Sequence, residues 1–157
     1  MMVILTVIIA CIPIAVVSAS YPPTTQKRQL TFLSTNTNWN AASMFCEQNQ
    51  SSLIQFSSHA TMEMLKIYSS GVWSGSWGND YWLGLYIQDM NAPEYEWDGG
   101  CTVANTNAYD HFEGGAPSVS DLDSTKKCAV AKKDTHEWRF EKCSISYVAI
   151  CQKNLGE

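Results

Sequence analysis

The order of apolar and polar residues divides the chain into regions of different kind. Met1 to Ala19 carries no charge, and Val3 to Val17 is apolar apart from Thr6 and Pro13. Further on, Trp39, Ala42, Phe45 and Cys46 recur at helical spacing, which predicts a helix over Asn38–Asn49 with one inward stripe. Ser58 is a good N-cap for a second helix reaching about Tyr68, where Ala60, Met64 and Tyr68 lie four apart and the methionines serve as core filler. Beyond Gly71, the first glycine, the pattern turns to short strands and loops. Gln29–Ser34, Tyr81–Ile87, Glu94–Trp97, Lys127–Lys132 and Ser146–Gln152 are strand candidates, and Leu53–Phe56 is a short buried strand or turn. Asp98–Thr125 is rich in glycine and asparagine and shows no period; a loop that long is usually functional. Helices first and strands with long loops after define an α+β domain.

Composition narrows the function classes. With 157 residues the chain is one domain's worth, and 45% hydrophobic with 11% aromatic residues is enough for a packed core. Fifteen acidic against ten basic residues give a net charge of −5, which argues against a nucleic-acid partner. The six cysteines include no C-x-x-C, so zinc-ribbon and thioredoxin-like readings fall away. Residues 1–19 read as a signal peptide cut between Ala19 and Ser20, with a retained anchor or a buried core segment as alternatives. Cleavage leaves an extended leader over residues 20–28, a domain over residues 29–154 and no membrane span, and the protein is then secreted and extracellular. It also removes Cys11, so an odd number of cysteines remains in an oxidising compartment.

Six motifs, in order, resemble the C-type lectin-like domain. They are Trp39-x-x-Ala42-x-x-x-Cys46, Trp82-Leu83-Gly84-Leu85, Glu96-Trp97-Asp98-Gly99, Tyr109-Asp110-His111-Phe112, Trp138 five residues before Cys143, and Ile150-Cys151-Gln152. The resemblance spans nearly the whole mature chain. It implies an α+β fold with two helices flanking small antiparallel sheets, a long loop region and two disulfides, Cys46–Cys151 and Cys128–Cys143. It gives Trp82, Gly84, Pro117 and Trp138 structural roles, Pro117 through a cis bond. Cys101, in a loop longer than the resemblance leads one to expect, is left unpaired or intermolecular.

The best-known members of that family hold sugar through calcium, which takes about six to eight oxygen ligands. The resemblance places the family's ligands on Ala116, Ser118, Lys126, Arg139 and Phe140. Its Glu-Pro-Asn tripeptide falls on Ala116-Pro117-Ser118, and two of the replacements are cations that would repel a divalent ion. No metal is expected at that position and no cofactor elsewhere; Asp121 and Asp123 are the candidates for a displaced ion site.

Nine acidic residues and no Lys or Arg lie between Lys66 and Lys126. They form either a solvated acidic loop facing the basic strand that follows, or a surface for a cationic partner or a displaced calcium ion. His136-Glu137 begins like a zinc-protease motif, but Phe140 stands at the second histidine position. His59, His111 and His136 make no ligand pattern and read as surface or loop histidines. Asn49-Gln50-Ser51 is a glycosylation candidate at Asn49. No acid–base or nucleophilic constellation is present, so no enzyme is expected. The expected function is recognition of an extracellular glycan or protein ligand. The alternative is a structural or assembly protein, a disulfide-linked dimer through Cys101.

Overall fold

The apolar run Tyr81–Ile87 alternates between two interiors. A computed structural model describes residues 27–56, 59, 62–63, 65–66, 80–88, 95–98, 101–103, 111–115 and 123–155. In chain order the elements are β1 (Lys27–Thr37), α1 (Trp39–Gln48), β2 (Ser52–Leu53), β3 (Tyr81–Ile87), β4 (Tyr95–Trp97), β5 (Cys101–Val103), β6 (Cys128–Ala131), β7 (Trp138–Glu141) and β8 (Tyr147–Leu155). The sheet path runs β1-β8-β3-β4-β5, β2 adds to β8, and β6 joins β3 to β7. Successive side chains of a strand point to opposite faces. On β3, Tyr81, Leu83, Leu85 and Ile87 face one core, together with Phe56, Trp138 and Ile150. Trp82 faces the other, with Trp39, Cys46, Val130 and Cys151. Burial on both faces explains why this run is nearly continuously apolar.

Helix α1 covers the second core. Asn38 caps it by accepting a hydrogen bond from the Ala41 amide at 2.9 Å, and Trp39, Ala42 and Cys46 turn inward. Phe45 does not belong to that stripe: it is 40% exposed, since position 45 is rotated about 100° from position 46 on an α-helix. Two indoles tie the layers together. Trp39 Nε1 donates to the Leu83 carbonyl at 2.7 Å, and Trp82 Nε1 donates to the Thr37 carbonyl at 2.8 Å. Gly84 sits at a close approach: a Cβ there would lie 3.0 Å from the Leu53 carbonyl oxygen and 3.1 Å from Asp98 Cβ, so a larger residue would have to push these neighbours aside. On the opposite face, His59, Met62, Glu63, Leu65 and Lys66 are helical, and Met62 and Leu65 enter the first core. The ends of this second helix, with Ser58, Ala60, Met64 and Tyr68, lie outside the described residues.

Several sequence expectations need correction. β1 starts at Lys27, inside the expected leader, because its antiparallel register with β8 runs from Lys27↔Leu155 to Thr37↔Tyr147. The sheet is mixed: β3 and β8 are parallel at Tyr81↔Val148 and Trp82↔Ala149. The long loop opens with a strand, β5, paired to β4 through Trp97↔Cys101. β7 was not expected as a strand, yet it pairs with β6 through Ala131↔Trp138 and Cys128↔Glu141. His136 is in a loop but is buried, at 3% exposure, with its Nδ1 2.7 Å from the Tyr81 hydroxyl.

Two disulfides staple the fold, Cys46–Cys151 across 105 residues of chain and Cys128–Cys143 across 15. Chain entropy favours the longer closure, about 4.7 kcal/mol for a loop of roughly 100 residues against about 3 for roughly 15. Cys46→Ser with Cys151→Ser should therefore lower the urea midpoint further than Cys128→Ser with Cys143→Ser. Equal shifts would reject loop length as the controlling variable.

Burial of His136 sets a pH dependence. Desolvation, helped by the nearby Lys66 ammonium and His111, pushes its pKa down to about 4, against weaker opposition from Glu63 and Asp134. The unfolded imidazole titrates near 6.5 and takes up its proton first as pH falls. The unfolded state thus binds more protons between about 6.5 and about 4, and stability is lost as the pH is lowered through that window. Melting temperature in the wild type should drop more steeply there than in His136→Gln; parallel curves would show that another group controls the loss.

Candidate functional site

The resemblance puts the five family ligand positions on Ala116, Ser118, Lys126, Arg139 and Phe140. Ala116, Pro117, Ser118 and Asp121 lie outside the described residues, as do the Cys101 side chain and the expected cis bond. Lys126, Arg139, Phe140 and Asp123 are described. β7 carries the informative pair, because its alternation gives Arg139 and Phe140 opposite faces.

Phe140 points toward the first core with Trp138. Its ring centroid lies 5.3 Å from that of Phe112 and 5.5 Å from that of Tyr95. Phe112 also meets Trp138 edge-on at 5.4 Å, and Trp97 meets Trp138 edge-on at 5.9 Å. The backbone reinforces this packing. Trp138 N donates to the His111 carbonyl at 2.8 Å, and Glu113 N donates to the Trp138 carbonyl at 3.0 Å. An aromatic cluster thus pins residues 111–113 of the long loop region against β7.

Arg139 points the other way, toward carboxylates. Its Nη2 donates to Asp80 Oδ2 at 2.7 Å, and its Nε donates to Glu141 Oε1 at 3.2 Å, two residues along on the same face. The Tyr147 hydroxyl accepts from Nη2 at 3.4 Å. Burial works against the guanidinium's charge, but Asp80, Glu141 and Tyr147 outweigh it and hold its pKa above the ordinary arginine value. Asp80 Oδ1 also accepts from the Lys133 amide at 3.2 Å, so this carboxylate joins β3 to the turn after β6.

Other acids of the long acidic stretch also have partners within the protein. Asp98 accepts from Ser43 Oγ at 3.1 Å and from the Leu53 amide at 3.2 Å. Glu96 accepts from the Tyr86 hydroxyl at 2.9 Å; burial and that bond raise the tyrosine's pKa. Glu113 pairs with Lys132 at 2.6 Å. Asp123 Oδ1 accepts from both the amide and the hydroxyl of Thr125 at 2.8 Å, bonds that lower its pKa. Lys126 is half-buried, and its amide donates to the Asp123 carbonyl at 2.8 Å.

Calcium requires a converging set of oxygens. The described family positions offer a guanidinium already held by two carboxylates, a phenyl ring in a packed cluster and an ammonium. That donor set does not fit the ion. Asp80 is the residue the sequence reading missed; its signal was a lone acid abutting the apolar strand Tyr81–Ile87. Phe112 was visible only as part of the motif Tyr109-Asp110-His111-Phe112.

The family model described as Lectin C-type domain matches residues 35–153. Among solved structures, the mouse scavenger receptor C-type lectin carbohydrate-recognition domain superposes with a TM-score of 0.62 at 21% identity, covering 87% of this chain and 98% of that one. The herring type II antifreeze protein superposes with a TM-score of 0.62 at 18% identity, covering 86% and 100%. No curated protein matches the chain by sequence. A mixed sheet between two cores, two disulfides and a family match over most of the length lead to one conclusion: the chain belongs to the C-type lectin domain family.

Proposed function

We propose that the protein is a secreted, non-enzymatic recognition module that binds an extracellular glycan or protein ligand without calcium at the family's sugar position. Its binding region is the loop between Asp98 and Thr125. The observation that carries the reading is the two-sided use of β7. Phe140 is packed against Tyr95 and Phe112, while Arg139 is ion-paired to Asp80 and Glu141. Neither side chain has an oxygen to offer an ion, and each is held in place by those contacts. Secretion is supported by the signal-like residues 1–19 and by two disulfides, which persist in oxidising compartments.

Titration calorimetry should detect no calcium binding tighter than about millimolar, the weak end for extracellular modules. Chelator should leave the melting temperature and any hits on a glycan and protein array unchanged. A tighter site abolished by mutating Ser118 would overturn the reading. Loss on mutating Asp121 or Asp123 would instead reveal a displaced ion site.

A second reading, covalent assembly through Cys101, is favoured by one observation. β5, which contains Cys101, ends the sheet path and pairs only with β4 among the described strands. An edge strand offers free backbone groups to another chain. In this reading the wild type runs as a dimer on a non-reducing gel and Cys101→Ser as a monomer of equal melting temperature. A wild type that runs as a monomer removes it.

A further inference from the structure

We propose that Asn49 is an N-glycan attachment site and that its glycan covers the apolar outer face of α1. The inference rests on the reading of the chain as secreted. Asn49-Gln50-Ser51 supplies the required asparagine and hydroxyl residue. The sequon sits where the helix ends: Asn49 is the exposed C-cap of α1, and Gln50 takes a left-handed φ of 53° that turns the chain away. Nothing of the two cores has to move for a sugar to fit there.

The hydrogen bonds make the site compatible with the modification. Asn49 Nδ2 donates to the Phe45 carbonyl at 2.8 Å. A carboxamide nitrogen carries two hydrogens, and this bond needs only one. Glycosylation replaces one N–H with an N–C1 bond, so the glycosylated amide keeps a hydrogen to donate to Phe45 and the cap survives. The donor is a lipid-linked pyrophosphate oligosaccharide. The new bond joins Nδ2 to C1 of the first sugar, the C1–O bond to the pyrophosphate breaks, and the amide proton leaves. Ser51 Oγ donates to the Cys46 carbonyl at 2.7 Å in the folded domain. The transfer therefore precedes closure of this turn, and folding then presents the sugar outward.

A second observation gives the glycan something to do. Met44 is 57% exposed and Phe45 40%, side by side on α1. Phe45 stands four residues before Asn49, on the same flank of the helix. A sugar on Asn49 lies over that ring, and the apolar face of a pyranose is a suitable cover for it.

The test is expression of the full chain in a eukaryotic host, once as it is and once behind an established secretory leader. Mass spectrometry of the secreted protein should find a glycan on Asn49. Peptide N-glycosidase should remove it and leave Asp at that position; Asn49→Gln should lack it, and Ser51→Thr should keep it at equal or higher occupancy. Release of the glycan should raise the binding of an apolar dye in the wild type and not in Phe45→Ser. An unmodified Asn49 in leader-driven, secreted protein overturns the site. A glycan found only in the leader-driven arm upholds the site and overturns the secretion reading. Unchanged dye binding after release overturns the covering role.

Discussion

Strand β8 is where the fold closes, and the other layers depend on it. β1 lines one edge in antiparallel register from Lys27↔Leu155 inward. β3 lines the other in parallel at Tyr81↔Val148, and β2 adds at Ser52↔Gln152. Its side chains alternate between the cores, Val148 and Ile150 to one, Ala149 and Cys151 to the other. Each pairing joins distant parts of the chain and must repay a loop-closure entropy before it stabilises anything. Cys151, in the middle of β8, is bridged to Cys46 on the inner face of α1. The bridge fixes helix to strand at the point where the long-range pairings converge, so it lowers the entropic cost of all of them at once. A domain this small, with two modest cores instead of one large one, benefits most from such a closure.

β7 holds its residues in two opposite kinds of environment. A strand of four residues presents two side chains to each face. Here one face carries Trp138 and Phe140 into the aromatic cluster, and the other carries Arg139 and Glu141 toward Asp80. The guanidinium lies between two carboxylates. Removing it would leave those carboxylates facing each other, partly shielded from water, which is costly. The phenyl ring likewise fills a place that a carboxylate could not occupy without burying charge. The two residues are held by opposite kinds of environment, and reverting either toward an oxygen donor meets a penalty of its own.

What was legible in the sequence followed the strength of local periodicity. Tyr81–Ile87 declared a strand because both its faces are apolar, and Asn38–Asn49 declared a helix through its apolar stripe. Phe45 misled because an aromatic beside Cys46 resembles core until its angle on the helix is worked out. β7 was illegible for the opposite reason: two of its four residues, Arg139 and Glu141, and the preceding Glu137 are charged, and Asp80, which holds Arg139, lies far away in sequence. β5 is three residues long and follows two glycines, too short for any period to register. His136 carried no signal at all, since its burial comes from a left-handed turn at φ 59° that directs the ring to Tyr81. The pairing of Arg139 with Asp80 carried no signal either, because the two are 59 residues apart in sequence.

The acidic stretch changes meaning once its partners are known. Asp80, Glu96, Asp98 and Glu113 belong to the stretch that reads in sequence either as a solvated acidic loop facing a basic strand or as a surface for a cation, and each has a partner within the protein. A cation approaching this end of the molecule would have to compete with Arg139 and Lys132 for oxygens already engaged at hydrogen-bond distance. The interaction it gains in water at such a surface is small and screened by salt. At these described acids charge is a weak basis for recognition, and among the described residues no acidic cluster offers a metal an oxygen set. What this end does hold firmly is the backbone of residues 111–113, hydrogen-bonded across β7 and packed on Trp138 and Phe140. Residues 111–113 are thus fixed by an aromatic cluster, which links their placement to the packing and stability of the first core.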